Sequence, residues 1–153
     1  MNSSHEAGSI VSAGRMKKKQ ARPPENGVCL AIDPRPDSLR KTVRVWEKLL
    51  PGAQCHGFSS GEEAWSFFLN HSVDLVIMEI SLGSFSALEL ARQMIAVHPR
   101  TNICFLTDQT DYAGEAWQLH ATDYVIKPLT EAKLRNTLTH LRFPSALDPA
   151  GIV

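Results

Sequence analysis

The chain alternates between short apolar runs and longer stretches whose apolar residues recur at helical spacing. Five short runs predict strands, over 28–32, 54–58, 74–80, 103–107 and 124–126. The clearest of them, LVIM at 75–78, has no polar alternation, which is typical of a strand that is buried on both faces. The pattern therefore predicts a parallel sheet with a hydrophobic core on each side.

The longer stretches between these runs predict five helices. In the first, over 36–50, Leu39, Val43, Trp46 and Leu50 fall on one face. A capping-box signature opens the second helix, the third should stop before a proline, the fourth spans 112–119, and a threonine should cap the fifth. The residues behind these signals are Ser60 with Glu63, Pro99 and Thr130.

Strands that alternate with helices predict an α/β fold with a doubly wound, five-stranded parallel sheet in the flavodoxin-like order 2-1-3-4-5. In such sheets, ligands bind beyond the carboxyl ends of the strands. The residues at those ends are Asp33, Glu79, Thr107 and Lys127, the last followed by Pro128. Two acids, a hydroxyl group and a lysine are therefore predicted to meet in one crevice.

Composition narrows the class of protein. The 153 residues are enough for one domain, and the hydrophobic content of 43% and charged content of 21% are ordinary for a globular protein. Sixteen basic and sixteen acidic residues cancel, so charge does not favour a nucleic-acid or membrane partner for this chain alone. The three cysteines are widely spaced, which favours reduced core thiols. Together with the lack of a signal-peptide pattern or a spanning apolar run, this predicts a cytoplasmic protein.

Both ends of the chain lack sustained periodicity. Residues 1–27 are predicted to be a flexible basic tail, residues 28–142 the domain, and residues 143–153 a short C-terminal tail. The tail segment RMKKKQAR could contact an acidic partner or a phosphate backbone, but its composition favours a solvated linker.

Four motifs at the strand ends resemble the receiver domain of two-component response regulators. They are AIDP, DLVIMEISLGSFSALEL, CFLTDQTDYAGEAW and ATDYVIKPLTEAKL, and the resemblance covers residues 28 to about 141. The lysine–proline pair at Lys127, with Tyr124 three positions earlier, is the most specific part. The resemblance implies phosphoryl transfer from a histidine kinase to an aspartate after the third strand, with Mg²⁺ held by an acidic pair after the first. Thr107 and Lys127 match the receiver pattern, and Thr107 with Tyr124 matches its switch pair.

The chain departs from that pattern at several positions, and two of these departures concern the acidic residues of the site. The phosphoacceptor position is Glu79, and Pro34 stands where the second acid is expected. Glutamate is longer than aspartate by one methylene, roughly 1.5 Å, so its carboxylate would reach toward the place of a phosphoryl group. We therefore predict a pseudo-receiver that is not an enzyme and has no cofactor. Asp33, Glu79 and the Ser81 carbonyl would form at most a weak Mg²⁺ site.

Three functional classes follow from the sequence. The first is a signalling module that binds a protein partner or a second copy through its fourth helix, fifth strand and fifth helix, beside Trp117. The second is a phosphoacceptor receiver that uses Mg²⁺, and the third is an unrelated hydrolase or flavin binder on the same fold. Two local alternatives also stay open: Asp33 as a helix cap or a site residue, and Tyr124 as a switch or simply a half-buried aromatic residue.

Overall fold

The computed structural model describes residues 27–143, and the predicted tails therefore lie almost wholly outside the described residues. The strands are β1 (Val28–Ile32), β2 (Gln54–Phe58), β3 (Leu75–Met78), β4 (Ser81–Leu82), β5 (Phe85–Ser86), β6 (Asn102–Thr107) and β7 (Asp123–Ile126). The helices are α1 (Pro36–Leu49), α2 (Gly61–Asn70), α3 (Ala87–Val97), α4 (Ala113–Gln118) and α5 (Glu131–Leu138). Within residues 27–143, no helix combines the length and apolar character needed to cross a bilayer.

Five of the strands form one parallel sheet in the order β2-β1-β3-β6-β7. Without the small β4–β5 hairpin, this is the predicted doubly wound order, which is thus confirmed. Hydrogen bonds continue past the carboxyl ends of the strands, from the backbone N–H of Glu79 to the Ile32 carbonyl at 2.9 Å and from that of Lys127 to the Thr107 carbonyl at 2.9 Å. The carboxyl ends of β1, β3, β6 and β7 therefore lie together at one end of the sheet.

The sheet separates two hydrophobic layers. On one face α1 and α5 pack through Leu39, Val43, Trp46, Leu134 and Leu138, all buried. On the other face α2, α3 and α4 pack on the sheet through Ala64, Phe68, Leu90, Met94 and Ala116. Because both faces are covered, the strands read as continuous apolar runs, which is why they could be predicted.

The antiparallel pair β4–β5 was not predicted. Its strands have two residues each, too few for a period to register, and Gly83 turns the chain between them with φ of 76°. Phe85 in β5 lies over Gly61 so closely that a Cβ atom built on Gly61 would come within 2.0 Å of its ring. This contact holds the loop after β3 against the start of α2.

The two predicted helix caps are confirmed. Ser60 and Thr130 cap α2 and α5 by accepting hydrogen bonds from the backbone N–H of the third residue along. Trp46, predicted on the apolar face of the first helix, is fully buried. His120, which follows α4, adopts the left-handed conformation with φ of 67°.

The three cysteines, Cys29, Cys55 and Cys104, are free thiols buried in the core layer under α1 and α5. Burial raises the pKa of the Cys29 and Cys104 thiols well above the ordinary value, because the thiolate would lose its hydration. These groups are consequently poor nucleophiles, as expected of structural core thiols.

Candidate functional site

The structure brings together the four residues predicted for the site. Lys127 lies between the two acids, with Nζ 2.8 Å from Asp33 Oδ2 and 2.6 Å from Glu79 Oε1. Thr107 donates its hydroxyl hydrogen to Glu79 Oε2 at 2.6 Å. The side chains of Asp33, Glu79 and Lys127 are 5%, 3% and 10% exposed. One ammonium group thus faces two carboxylates, and all three side chains are almost fully buried.

Both carboxylate oxygens of Glu79 are occupied by groups of the chain. Oε2 accepts the hydrogen bond from Thr107 and a second one from the Ser81 backbone N–H at 2.9 Å. Oε1 faces Lys127 as an ion pair rather than as an aligned hydrogen bond, and an Arg35 guanidinium nitrogen lies 3.8 Å from it. The carboxylate is therefore held in place from both sides.

Asp33 belongs to the site and does not cap α1. The N-cap of that helix is Arg35, which has no side-chain cap, and a proline occupies the first turn. Asp33 Oδ1 instead accepts the Arg35 backbone N–H at 2.9 Å, which forms the tight turn before the helix, while Oδ2 binds Lys127. Of the two alternatives for this residue, the helix cap is wrong. The contact with Lys127 places Asp33 in the site.

The loop after β7 fixes the position of Lys127. The Lys127–Pro128 peptide bond is cis. Lys133, in the first turn of α5, donates from Nζ to the Ile126 carbonyl at 2.7 Å and to the Pro128 carbonyl at 3.2 Å. The backbone on both sides of Lys127 is thus tied down, and its side chain points across the crevice at the two acids.

Hydrogen bonds on both sides of the Gln109 backbone link Glu79 to the predicted switch residue Tyr124. Thr107 Oγ1, which donates to Glu79, also accepts the Gln109 backbone N–H at 3.2 Å. The Tyr124 hydroxyl donates to the Gln109 carbonyl at 2.5 Å. Burial raises the pKa of the Tyr124 phenol, so the hydroxyl stays protonated and able to donate at neutral pH. The ring is half-buried, and its hydroxyl has a defined partner in this loop.

Two residues at the mouth of the crevice were missed from the sequence. Arg35 bridges to Asp108 at 3.3 Å across the loops that follow β1 and β6. The Gln109 side-chain amide donates to the Ser81 hydroxyl across the loops after β6 and β3. Arg35 lies just outside the quoted motifs, and Gln109 lies inside one but has no periodic signal of its own, since each acquires its partner only when separate loops meet.

Comparison with known proteins agrees with this geometry. The family model described as "Response regulator receiver domain" matches residues 29–139. Transcriptional regulatory protein BtsR of Escherichia coli (strain K12) is 39% identical over 69 residues, which are 45% of this chain. The match covers 28% of that relative, so the chain spans under a third of its length.

Solved structures show the same architecture. Response regulator protein TrrA from Thermotoga maritima, solved in complex with Mg(2+)-BeF, is 26% identical, with a TM-score of 0.64 over 75% of this chain and 98% of its own. A receiver domain protein from Clostridium thermocellum has a TM-score of 0.66 at 24% identity, covering 72% of this chain and 90% of its own, a likeness that concerns the fold alone. The family match disfavours an unrelated hydrolase or flavin binder. With its parallel sheet, its crevice of acids, threonine and lysine, and a family match over nearly all described residues, the chain belongs to the response regulator receiver domains of two-component signalling.

Proposed function

We propose that this receiver is a non-enzymatic signalling module whose site conformation is set by Glu79 and not by phosphoryl transfer. One observation carries the proposal. The Glu79 carboxylate holds the Thr107 hydroxyl and the Lys127 ammonium group at the same time, each at 2.6 Å. These are the two groups that, by the family resemblance, would bind a phosphoryl group on an acceptor.

Glu79 replaces a phosphoryl group only in part. A phosphate carries about −1.5 to −2 charge and three acceptor oxygens, whereas a carboxylate has one charge and two oxygens. Both Glu79 oxygens are already engaged, and the side chain is 3% exposed. To act as a nucleophile, Glu79 would have to release one of these partners and open a path for the phosphorus atom. This cost favours a fixed state over a phosphoacceptor.

The donor set also fits Mg²⁺ poorly. Mg²⁺ requires near-octahedral oxygen ligands and usually binds one or two free carboxylates together with waters. Pro34 contributes no side-chain ligand, and both Asp33 and Glu79 already bind Lys127. Among residues 27–143, no three acidic, histidine or cysteine side chains cluster as a metal site would need. We therefore assign no step to a metal ion, and the predicted ligands Asp33, Glu79 and the Ser81 carbonyl would bind one weakly if at all.

The surface beside α4, β7 and α5 would carry the output by binding a protein partner or a second copy. The Trp117 side chain on α4 is 51% exposed, and that of Ile126 on β7 is 39% exposed. Large apolar side chains at the surface, tryptophan above all, are typical anchors of protein interfaces. Tyr124 lies on β7, so the path from Glu79 ends at this surface.

A phosphorylation assay tests the proposal. The protein is incubated with Mg²⁺ and acetyl phosphate, and its intact mass is measured. In the competing reaction, a carboxylate oxygen bonds to phosphorus, the bond from phosphorus to the acetyl oxygen breaks, and acetate leaves with the electron pair. We expect no adduct on the parent chain and one phosphoryl group on the Glu79→Asp, Pro34→Asp double variant, which restores both acids. The matched control is Glu79→Asp alone, which lacks the second acid.

A phosphoryl adduct on Glu79 of the parent chain would instead support the second function, a phosphoacceptor receiver that depends on Mg²⁺ and a histidine kinase. Light scattering with and without Mg²⁺ and beryllofluoride gives an independent readout. A locked module should keep its mass in both conditions, and assembly triggered by the phosphoryl mimic would contradict the proposal. Trp117→Ala should weaken association or partner binding, whereas Leu69→Ala, at a side chain 47% exposed on α2, should not.

A further inference from the structure

A buried amide at the amino end of β6 binds the chain that leaves α5. Asn102 is 1% exposed, although it is polar. Its Oδ1 accepts the backbone N–H groups of Arg142 at 2.8 Å and Phe143 at 3.1 Å. Its Nδ2 donates to the Phe143 carbonyl at 3.2 Å. The side chain therefore bonds both the N–H and the C=O of Phe143.

The remaining hydrogen-bonding capacity of Asn102 is used by the domain itself. Nδ2 also donates to the Asp74 carbonyl at 3.1 Å, and Thr122 donates its hydroxyl hydrogen to Oδ1 at 3.3 Å. These contacts fix the orientation of the amide independently of the exiting chain. A buried amide without hydrogen-bond partners would destabilise the fold. The buried Asn102 amide is fully bonded only when the exiting chain is in place, so it acts as a binding site for the backbone of that chain.

The Phe143 side chain makes a second, independent contact. Two guanidinium groups lie over its ring, with the Arg100 Cζ atom 5.4 Å and the Arg142 Cζ atom 5.7 Å from the ring centroid. Cation–π pairs at partly exposed sites contribute modestly, but two of them on one ring favour a single ring position. Backbone and side chain of the same residue are thus held by different elements.

We infer that the amino end of β6 is a docking site for the chain that leaves α5, and that Asn102 is its positioning residue. The group bound there is the backbone of Arg142 and Phe143 together with the Phe143 ring. The site therefore fixes the position of the chain where it leaves α5.

This docking site lies at the amino ends of the strands, at the end of the sheet opposite the candidate site. Asn102 begins β6 and Thr107 ends it, a separation of about 17 Å at roughly 3.3 Å per residue. Asp74, which accepts from Asn102, also pairs with the first strand, because its Oδ2 accepts the Val28 backbone N–H at 2.8 Å. The start of β1 and the chain that leaves α5 are therefore both bound at the amino ends of the strands, away from the crevice that contains Glu79.

Hydrogen–deuterium exchange of the full chain tests the inference, with limited trypsin cleavage after Arg142 as a second measurement. In the parent protein, the Arg142 and Phe143 amides should exchange at least tenfold more slowly than in an unstructured peptide, because each is bonded to a buried oxygen. Asn102→Ala should speed both exchange and cleavage about tenfold or more. Phe143→Ala, which keeps the backbone bonds, should give a smaller increase.

The matched control is Thr101→Val, at the neighbouring buried position. It removes the hydrogen bond to the His98 carbonyl at 2.7 Å and leaves the three hydrogen bonds between Asn102 and residues 142–143 in place. Urea unfolding of each variant separates local release from global destabilisation. Peptide-like exchange of these amides in the parent protein would overturn the inference, as would equal acceleration by Thr101→Val and Asn102→Ala. If Asn102→Ala does not fold, the exchange and cleavage rates of the parent protein and of Phe143→Ala still test the inference.

Discussion

Replacing Lys127 with methionine removes the cation between two buried carboxylates and keeps most of the side-chain volume. Its ammonium group lies 2.8 Å from Asp33 and 2.6 Å from Glu79, whose side chains are 5% and 3% exposed. Breaking a buried pair by removing one partner usually costs about 3–5 kcal/mol, because the remaining charge stays desolvated. Here two carboxylates lose the same cation. We therefore expect the free energy of unfolding to fall by about 4 kcal/mol, near the middle of that range.

Urea unfolding followed by far-UV circular dichroism measures this loss. A double-mutant cycle with Glu79→Gln isolates the contribution of the ion pair, because glutamine keeps the shape of the side chain without its charge. We expect the double variant to be more stable than the sum of the two single losses predicts, by about 1–3 kcal/mol. The neutral amide no longer needs a cation, and only Asp33 is left without one.

Lys48→Met is the matched control, since Lys48 forms an exposed pair with Glu131 at 3.7 Å and its side chain is 75% exposed. Exposed pairs contribute about 0–1 kcal/mol, so this variant should unfold almost as the parent does. A Lys127→Met variant as stable as Lys48→Met would refute the reasoning. Strict additivity in the Glu79 cycle would show that the two side chains do not interact in solution.

Two further predictions concern packing and pH. Burial lowers the pKa of His56 from 6.5 to about 4, so protonation favours unfolding; stability should fall as the pH drops from about 6.5 to 4, by about 1–2 kcal/mol after a discount for solvent screening of this partly exposed ring. Unfolding midpoints against pH should fall less steeply in His56→Gln, and an identical slope would contradict this. Gly61→Ala places a Cβ atom within 2.0 Å of the Phe85 ring, so it should cost about 1–3 kcal/mol in urea unfolding. In the Phe85→Ala background the same change should cost little; an equal loss there would point to another cause.

The fold and the membership of the site could be predicted because both depend on patterns that are local in the chain. Strands buried on both faces appear as unbroken apolar runs, and their carboxyl ends must meet once the sheet is parallel. Asp33, Glu79, Thr107 and Lys127 could therefore be placed in one crevice before any contact was known. The roles proposed for them stay predictions that the phosphorylation assay decides.

The sequence by itself determined which residues reach the crevice, but the tertiary structure decided how they are paired. Hydrogen bonds between distant loops have no period along the chain, so no pattern marked Arg35 against Asp108 or Gln109 beneath the Tyr124 hydroxyl. The β4–β5 hairpin was too short to show alternation, and it lies where Phe85 packs on Gly61. Asn102 looked like one polar residue before a strand. Only in the folded chain does the segment after α5 come within hydrogen-bonding distance of Asn102, which then binds the backbone of that segment.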